Sequence, residues 1–146
     1  MTTRQSPKQV LQTFYEAEAK YMQTNGPDGK AAFDEIAATL DPAVVLHQSP
    51  DLPFGGEYVG HKRYKEWAVA MRSIFDKLEV GEQEFFEKDD KVIVTCRFRT
   101  RSRQNGSVQD LPMVQIVTVK DGRITDFRPF YWNVPEYLAA AQTRKT

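Results

Sequence analysis

The stretch LPMVQIVTVKDGRITDFRPFYWN, residues 111–133, decides the fold. It consists of two runs rich in β-branched and aromatic residues on either side of Asp121-Gly122, a dipeptide typical of a two-residue type I′ turn. The pattern therefore predicts an antiparallel β-hairpin in which Lys120 pairs with Arg123.

The register that follows from this turn predicts which side chains share a face of the hairpin. One face would carry Val119, Val117, Gln115, Met113, Ile124, Asp126, Arg128, Phe130 and Trp132. Both faces are mostly apolar, which predicts a hairpin that is covered on both sides. Because an unpaired buried polar group costs about 1–3 kcal/mol, we expect the polar members of this face to meet partners or a ligand in a pocket.

Length and charge narrow the class of protein. The chain has 146 residues, 40% of them hydrophobic and 27% charged, which predicts one ordinary globular domain over residues 1–146. Its 20 basic and 20 acidic side chains balance, which argues against binding to nucleic acid or to an anionic membrane surface. The sequence contains no apolar run of about 20 residues and no signal-peptide pattern, so we expect a cytoplasmic protein without a membrane span.

Metal and nucleotide cofactors are not expected. The chain has one cysteine and two histidines, and these lie at no spacing typical of metal ligands. No glycine-rich phosphate loop follows a predicted strand.

The remaining patterns predict helices first and long strands afterwards. Apolar residues recur with helical spacing over residues 7–23, 30–40, 61–76 and 135–142, and extended patterns cover 43–48, 57–59, 78–87 and 91–103. A frayed end is expected at 143–146. This order predicts an α+β domain with a curved antiparallel sheet and its helices on one side.

Two strings carry a resemblance to a known superfamily. DPAVVLHQSPDLPFGGEYVGHKRYKEW, residues 41–67, resembles a strand, a glycine-containing loop and a helix entry of nuclear transport factor 2-like proteins. DGRITDFRPFYWN, residues 121–133, resembles their last hairpin, in particular that of the SnoaL-like and ketosteroid-isomerase-like members. The resemblance implies a cone-shaped, curved antiparallel sheet wrapped around three helices from the N-terminal half, also called a cystatin-like roll. It further implies a deep apolar pocket and a homodimer formed through the outer sheet face.

The resemblance leaves two classes of function open. One is a cofactor-independent enzyme, an isomerase, cyclase or dehydratase, that transfers a proton on an apolar carbonyl-bearing metabolite. The other is a non-catalytic domain of the same fold that binds a ligand or only dimerises.

His47 and Asp126 are the catalytic candidates. The resemblance places the base near His47, Gln48 and Ser49, where this chain has no acid, so His47 is the predicted proton acceptor. The alternative for His47 is a buried neutral imidazole bonded to a backbone carbonyl or a tyrosine. Asp126 lies two residues before Arg128, and its alternative is a closed structural ion pair with that arginine.

Further side chains are predicted to bind or orient the ligand. They are Tyr15, because the resemblance places a tyrosine of the isomerases near Phe14 or Tyr15; Asp51, in a loop rich in proline and glycine; Gln115 and Arg128 in the hairpin; and the wall residues Trp67, Phe130 and Trp132. For Asp51 the alternative is ordinary turn chemistry.

One strand carries a one-sided row of arginines. Arg97, Arg99, Arg101 and Arg103 alternate with other residues and therefore share a face. Such a row can bind a phosphate backbone, but no aromatic residues interleave with it, so we expect ion pairs with neighbouring strands or contacts in a dimer.

Overall fold

The computed structural model describes residues 5–23 and 29–141. In chain order its elements are α1 (Pro7–Gln23), α2 (Gly29–Ala37), β1 (Leu40–Gln48), β2 (Gly56–Val59), α3 (Gly60–Ile74), β3 (Phe75–Lys88), β4 (Lys91–Ser102), β5 (Val108–Lys120), β6 (Arg123–Tyr131) and α4 (Val134–Ala141). None of the described helices combines the length and the apolar character needed to cross a bilayer.

The strands form one curved, unclosed sheet in the order β2-β1-β6-β5-β4-β3. Neighbouring strands run antiparallel except β1 and β6, which run parallel. The prediction of an α+β fold with a curved sheet and helices is confirmed. The helices α1 and α3 contact the sheet, and α2 packs on α1.

The hairpin turn forms as predicted. Lys120 pairs with Arg123, and the two residues between them have positive φ, 53° at Asp121 and 78° at Gly122. A type I′ turn requires positive φ at both central positions, which glycine adopts without steric cost. The sequence therefore predicts this turn correctly.

The register beyond the turn differs from the prediction. Val119 pairs with Ile124, but Thr118 pairs with Asp126, so Thr125 is an extra residue in β6. A one-residue bulge moves every later side chain to the opposite face of the sheet. The predicted common face is therefore wrong for the β6 residues after the bulge, Asp126, Arg128 and Phe130, and for Trp132 beyond the strand.

The bulge separates an inner row from an outer row of side chains. Met113, Gln115 and Val117 of β5 are buried with Phe127 and Pro129 of β6. On the outer face Arg128 is exposed, and the exposed fractions of Phe130 and Trp132 are 49% and 79%. Other residues of this chain thus cover the inner face of the hairpin and leave its outer face exposed.

Two element boundaries differ from the sequence prediction. β1 begins at Leu40 and runs through Asp41-Pro42, where a helix end was expected, because Leu40 pairs with Ile124 of the distant strand β6. β3 begins at Phe75, which pairs with Ser102, so α3 ends at Ile74. The expected frayed end at 143–146 lies outside the described residues.

Aromatic rings fill the interior of the cone that the curved sheet forms. Phe14 of α1 is fully buried, and its ring centroid lies 5.5 Å from Tyr15, 6.4 Å from Tyr64 and 5.2 Å from Phe127. At another point in the core, Tyr137 of α4 packs among the rings of Phe54, Phe75, Phe98 and Tyr131. The short last helix therefore inserts a large ring into the space that the sheet encloses.

The arginine row makes cross-strand ion pairs, as expected. Arg97 Nε lies 2.9 Å from Asp110 Oδ1, and Arg101 Nε lies 2.7 Å from Asp76 Oδ1. Arg99 is shared between Asp110 and acidic residues of β3. These pairs are exposed to solvent, which screens them, so each contributes little to stability.

Candidate functional site

The interior of the cone contains a very small cavity. Its volume is about 20 Å³, enough for about one water molecule but not for a metabolite. The resemblance implied a deep apolar hollow, and the space inside the cone is much narrower because aromatic rings occupy it. The cavity is lined by Glu18, Leu46, Gln48, Tyr64, Trp67, Leu78, Val80, Phe98, Met113, Gln115, Phe127, Pro129 and Tyr131.

A larger cleft lies directly beside this cavity, between α1 and the first half of β3. Its volume is about 480 Å³, within the range of small-molecule sites. Its lining consists of Gln12, Tyr15, Glu16, Glu18, Ala19, Leu78, Glu79, Val80 and Gln83. Glu18, Leu78 and Val80 border both spaces, so the cleft and the cavity are adjacent, and we call the two together the α1–β3 site.

Glu18 is the acidic group at the centre of the α1–β3 site. It lies one helical turn after Tyr15 and is only 8% exposed. Among the side chains and backbone groups that the structure describes, none donates a hydrogen bond to its carboxylate, and burial is the one cause that acts on its pKa. Burial raises the pKa of Glu18 from its ordinary 4.5 to about 7. A carboxyl group in this state can accept or donate a proton near neutral pH.

Hydrogen-bond donors surround the same space. The Tyr15 hydroxyl donates to Gln115 Oε1, and burial raises the pKa of Tyr15 well above its usual range, so the hydroxyl keeps its proton. Trp67 borders the cavity, and its buried indole Nε1–H has no acceptor among the residues that the structure describes. Such donors can stabilise negative charge that develops on a bound ligand.

Three of the predicted binding residues meet at the α1–β3 site. Tyr15, Trp67 and Gln115 come from α1, α3 and β5, and each borders the cleft or the cavity. Sequence reasoning missed Glu18. A signal for it exists, because position 18 lies four residues after Phe14 and three before Tyr21, within the apolar stripe of α1.

His47 and Asp126 lie together on the outer face of the sheet. Leu46 and Gln48 are buried, so His47 between them points outward. His47 Nδ1 lies 2.9 Å from Glu57 Oε2, and its Nε2 lies 2.6 Å from Asp126 Oδ1. Which ring nitrogen donates in these two bonds depends on the tautomer of the imidazole.

This arrangement corrects two structural alternatives. His47 is bonded to carboxylates rather than to a backbone carbonyl or a tyrosine, and Asp126 pairs with His47 rather than with Arg128. The reason is the parallel pairing of β1 with β6, which places Val45 opposite Asp126 and brings His47 close to it. The catalytic roles of His47 and Asp126 stay predictions.

The other predicted residues also lie outside the cone. A furrow of about 290 Å³, which we call the outer furrow, includes His47, Arg128 and Phe130 of the outer face together with Gln48 and Pro129. Asp51 is exposed in the loop after β1, where its backbone N–H donates to Ser49 Oγ at 3.3 Å. No group of three or more His, Cys, Asp or Glu side chains in the described part of the chain is placed to hold a metal ion.

Comparison with known proteins identifies a family. Residues 11–127 match the family model of the SnoaL-like domain. No curated protein matches the chain.

Solved structures share the fold at low sequence identity. A nuclear transport factor 2-like protein of unknown function from Burkholderia pseudomallei is 19% identical, with a TM-score of 0.77 over 94% of this chain and 98% of that one. A candidate polyketide cyclase from Xanthomonas campestris pathovar campestris is 19% identical, with a TM-score of 0.75 over 97% and 100%. TerC, co-crystallised with polyporic acid, is 17% identical, with a TM-score of 0.76 over 93% and 98%.

Proposed function

The chain belongs to the SnoaL-like domain family, and we propose that it is an enzyme that moves a proton at a carbon next to a carbonyl group of an apolar small molecule. The observation that carries this proposal is the buried, unpartnered carboxyl of Glu18 at the junction of an open cleft and the interior. Isomerases, cyclases and dehydratases of carbonyl compounds share this proton removal as a first step.

In the proposed reaction the substrate occupies the cleft and Glu18 is the general base. The ionised carboxylate takes a proton from the carbon next to the carbonyl, and the negative charge moves to the carbonyl oxygen. The Trp67 indole N–H, which has no acceptor among the described residues, is the nearby donor that can stabilise this oxygen. The Tyr15 hydroxyl donates its one hydrogen to Gln115 Oε1 and has to release that bond before it can donate to the substrate. In an isomerisation Glu18 then returns the proton at another carbon. In a cyclisation the carbanion forms a carbon–carbon bond to a second carbonyl, and Glu18 gives its proton to the alkoxide that results.

The surroundings of Glu18 suit this role. A base works best when its pKa lies near the pH at which the enzyme operates, and burial raises the pKa of Glu18 to about 7. Leu78 and Val80 provide apolar walls on the β3 side, which limits the water around the carboxylate. Among the neighbours in structure, the candidate polyketide cyclase and the TerC structure with polyporic acid support a small organic ligand.

We predict that the protein catalyses exchange of deuterium from solvent into 2-tetralone, a compact apolar ketone. Replacing Glu18→Gln removes the base while preserving size, so the exchange rate is expected to fall by about 10²–10⁴-fold. In the unmodified protein the rate is expected to rise with pH, with an apparent pKa of about 7. Proton NMR in deuterated buffer measures the rate at each pH.

His47→Ala tests the other predicted base. His47 lies on the opposite side of the sheet from the cavity, so its loss is expected to leave the exchange rate within about twofold of the original. The proposal fails if Glu18→Gln exchanges as fast as the unmodified protein. If His47→Ala loses exchange and Glu18→Gln does not, the active site lies in the outer furrow instead.

A non-catalytic ligand-binding or dimerisation domain is the second candidate. The narrow interior, about 20 Å³, favours it, because a metabolite cannot enter the cone as it stands. Binding of 2-tetralone without exchange above the solvent rate would support this candidate over the enzyme.

We also propose that two copies of the chain associate through the outer sheet face. Large apolar side chains are exposed there, with exposed fractions of 51% for Phe86, 42% for Ile93, 36% for Val114, 49% for Phe130 and 79% for Trp132. Val114 and Phe130 are directly paired neighbours, so the apolar surface is continuous across β5 and β6.

Replacing Trp132→Lys is expected to convert a dimer into a monomer at micromolar concentration, because it puts a charge into this apolar face. Sedimentation velocity measures the change. Val69→Lys is the matched control, since Val69 is 49% exposed on α3 and does not belong to the sheet. A monomer in the unmodified protein would refute the association.

A further inference from the structure

The polarity of the cleft changes from its mouth to its floor. Gln12 and Glu16 on α1 are exposed at the solvent side, and Gln83 on β3 is half-buried. Tyr15, Leu78 and the buried Glu18 lie deeper. A ligand that fills the cleft therefore needs an apolar inner part and a polar outer end.

The charges around the cleft are one-sided. Among the described residues that line it, the ionisable side chains other than Tyr15 are carboxylates, and no Lys, Arg or His is present. Glu79 also lines the cleft, and its carboxylate lies 4.0 Å from Arg99 Nη1, which offsets part of its charge. Glu16, Glu18 and Glu79 therefore make the electrostatic potential of the cleft negative.

The neighbouring lysines of α1 have contacts elsewhere. The Lys8 ammonium lies 5.6 Å from the centroid of the Phe85 ring, and Lys20 Nζ lies 2.8 Å from Glu35 Oε1. Neither borders the cleft. The negative potential from Glu16 and Glu18 is therefore not cancelled within the cleft itself.

From this charge distribution we infer that the α1–β3 site selects its ligand by charge and takes an apolar molecule whose outer end is a protonated amine. This inference rests on the proposed function, which places the reacting end of the ligand near Glu18. It adds the chemistry of the ligand's outer end. Glu16 at the mouth attracts the ammonium group, and Gln12 offers an amide oxygen to its N–H groups. A carboxylate or phosphate at the same end is repelled by both glutamates at pH 8.

The test uses three naphthalene probes of nearly equal size that differ in charge: 2-naphthylmethylamine, 2-naphthylmethanol and 2-naphthoate. Dissociation constants are measured by fluorescence titration at pH 8 and low ionic strength, where screening is weakest. We expect the amine to bind at least about tenfold more tightly than the carboxylate, with the alcohol between them. Raising the salt concentration to about 1 M is expected to reduce this preference.

Two variants connect the preference to the cleft. Glu16→Lys is expected to reverse the order of the amine and the carboxylate, whereas Asp34→Lys, which changes an exposed acid on α2 outside the cleft, leaves the order unchanged. Amide chemical-shift changes in α1 and β3 report whether the probes occupy the cleft.

The outcomes separate this inference from the proposed function. Equal affinity for the amine and the carboxylate, or a preference that Glu16→Lys does not alter, overturns the charge selection even if deuterium exchange is observed. A charge preference that responds to Glu16→Lys supports the inference even if exchange is absent, because binding does not require Glu18 to act as a base.

Discussion

Replacing Glu18 with glutamine is expected to raise the free energy of unfolding at pH 8 by about 3 kcal/mol. The pKa of Glu18 is raised from its ordinary 4.5 to about 7, so the folded state holds the proton more tightly than the unfolded state does. The stability that this adds is fully present below about pH 4.5 and is lost as the pH rises through about 7. A shift of about 2.5 pH units corresponds to about 3 kcal/mol.

Urea unfolding of the original protein and of Glu18→Gln between pH 4 and pH 8 measures this difference. Glutamine is neutral at every pH, so the two proteins are expected to be similar at pH 4 and to diverge above it. Glu16→Gln is the control: Glu16 is an exposed neighbour on the same helix, and its effect is expected to stay within about 0.5 kcal/mol. Equal stabilities at pH 8 would mean that the Glu18 carboxylate is solvated or paired in the folded protein.

This result would also bear on function. A buried acid without a partner lowers the stability of the fold at neutral pH, and such groups are concentrated at functional sites. A variant that is more stable but no longer exchanges deuterium would show both effects of the same carboxyl group. If Glu18→Gln is more stable and equally active, Glu18 is not the base of the reaction.

Replacing Phe14 with alanine is expected to lower the free energy of unfolding by about 3–5 kcal/mol. Phe14 is fully buried and contacts Tyr15 of its own helix, Tyr64 of α3 and Phe127 of β6. Its removal leaves a cavity where two helices meet the sheet, and the neighbouring rings cannot fill that space without leaving their own contacts.

The matched control is Phe130→Ala, which removes the same side chain from the outer face of β6, where it is 49% exposed. Its expected loss is below about 1 kcal/mol for the isolated chain. Urea unfolding measures both variants, and dilute protein keeps association from contributing to the Phe130 result. Equal losses at the two positions would contradict the assignment of inner and outer faces.

Local patterns predicted much of the fold. The apolar stripe of residues 7–23 predicted α1, the alternation of residues 91–103 predicted β4, and Asp121-Gly122 predicted the last turn. The alternating arginines predicted cross-strand ion pairs. These features depend on residues close in sequence or on one strand's own alternation, so the sequence contains the information directly.

The candidate site was predicted only in part. Tyr15 borders the cleft, and Trp67 and Gln115 border the adjoining cavity, while their roles in ligand binding stay predictions. The face assigned to Asp126, Arg128 and Phe130 was wrong, because the single extra residue Thr125 reverses the alternation of β6. Neither the turn nor the apolar pattern indicates that bulge.

The sequence by itself determined the element types and the turn chemistry, because propensity and periodicity act over a few neighbouring residues. The family followed from the resemblance of residues 41–67 and 121–133 to SnoaL-like proteins, which the match to the family model confirms. Only the tertiary structure decided which side chains face inward, how far aromatic rings fill the cone, and that Glu18 is buried beside an open cleft. Those outcomes depend on strand register and on packing between residues far apart in the chain. A shift of one residue in strand register moves each side chain from the inner face of the sheet to its outer face, or the reverse.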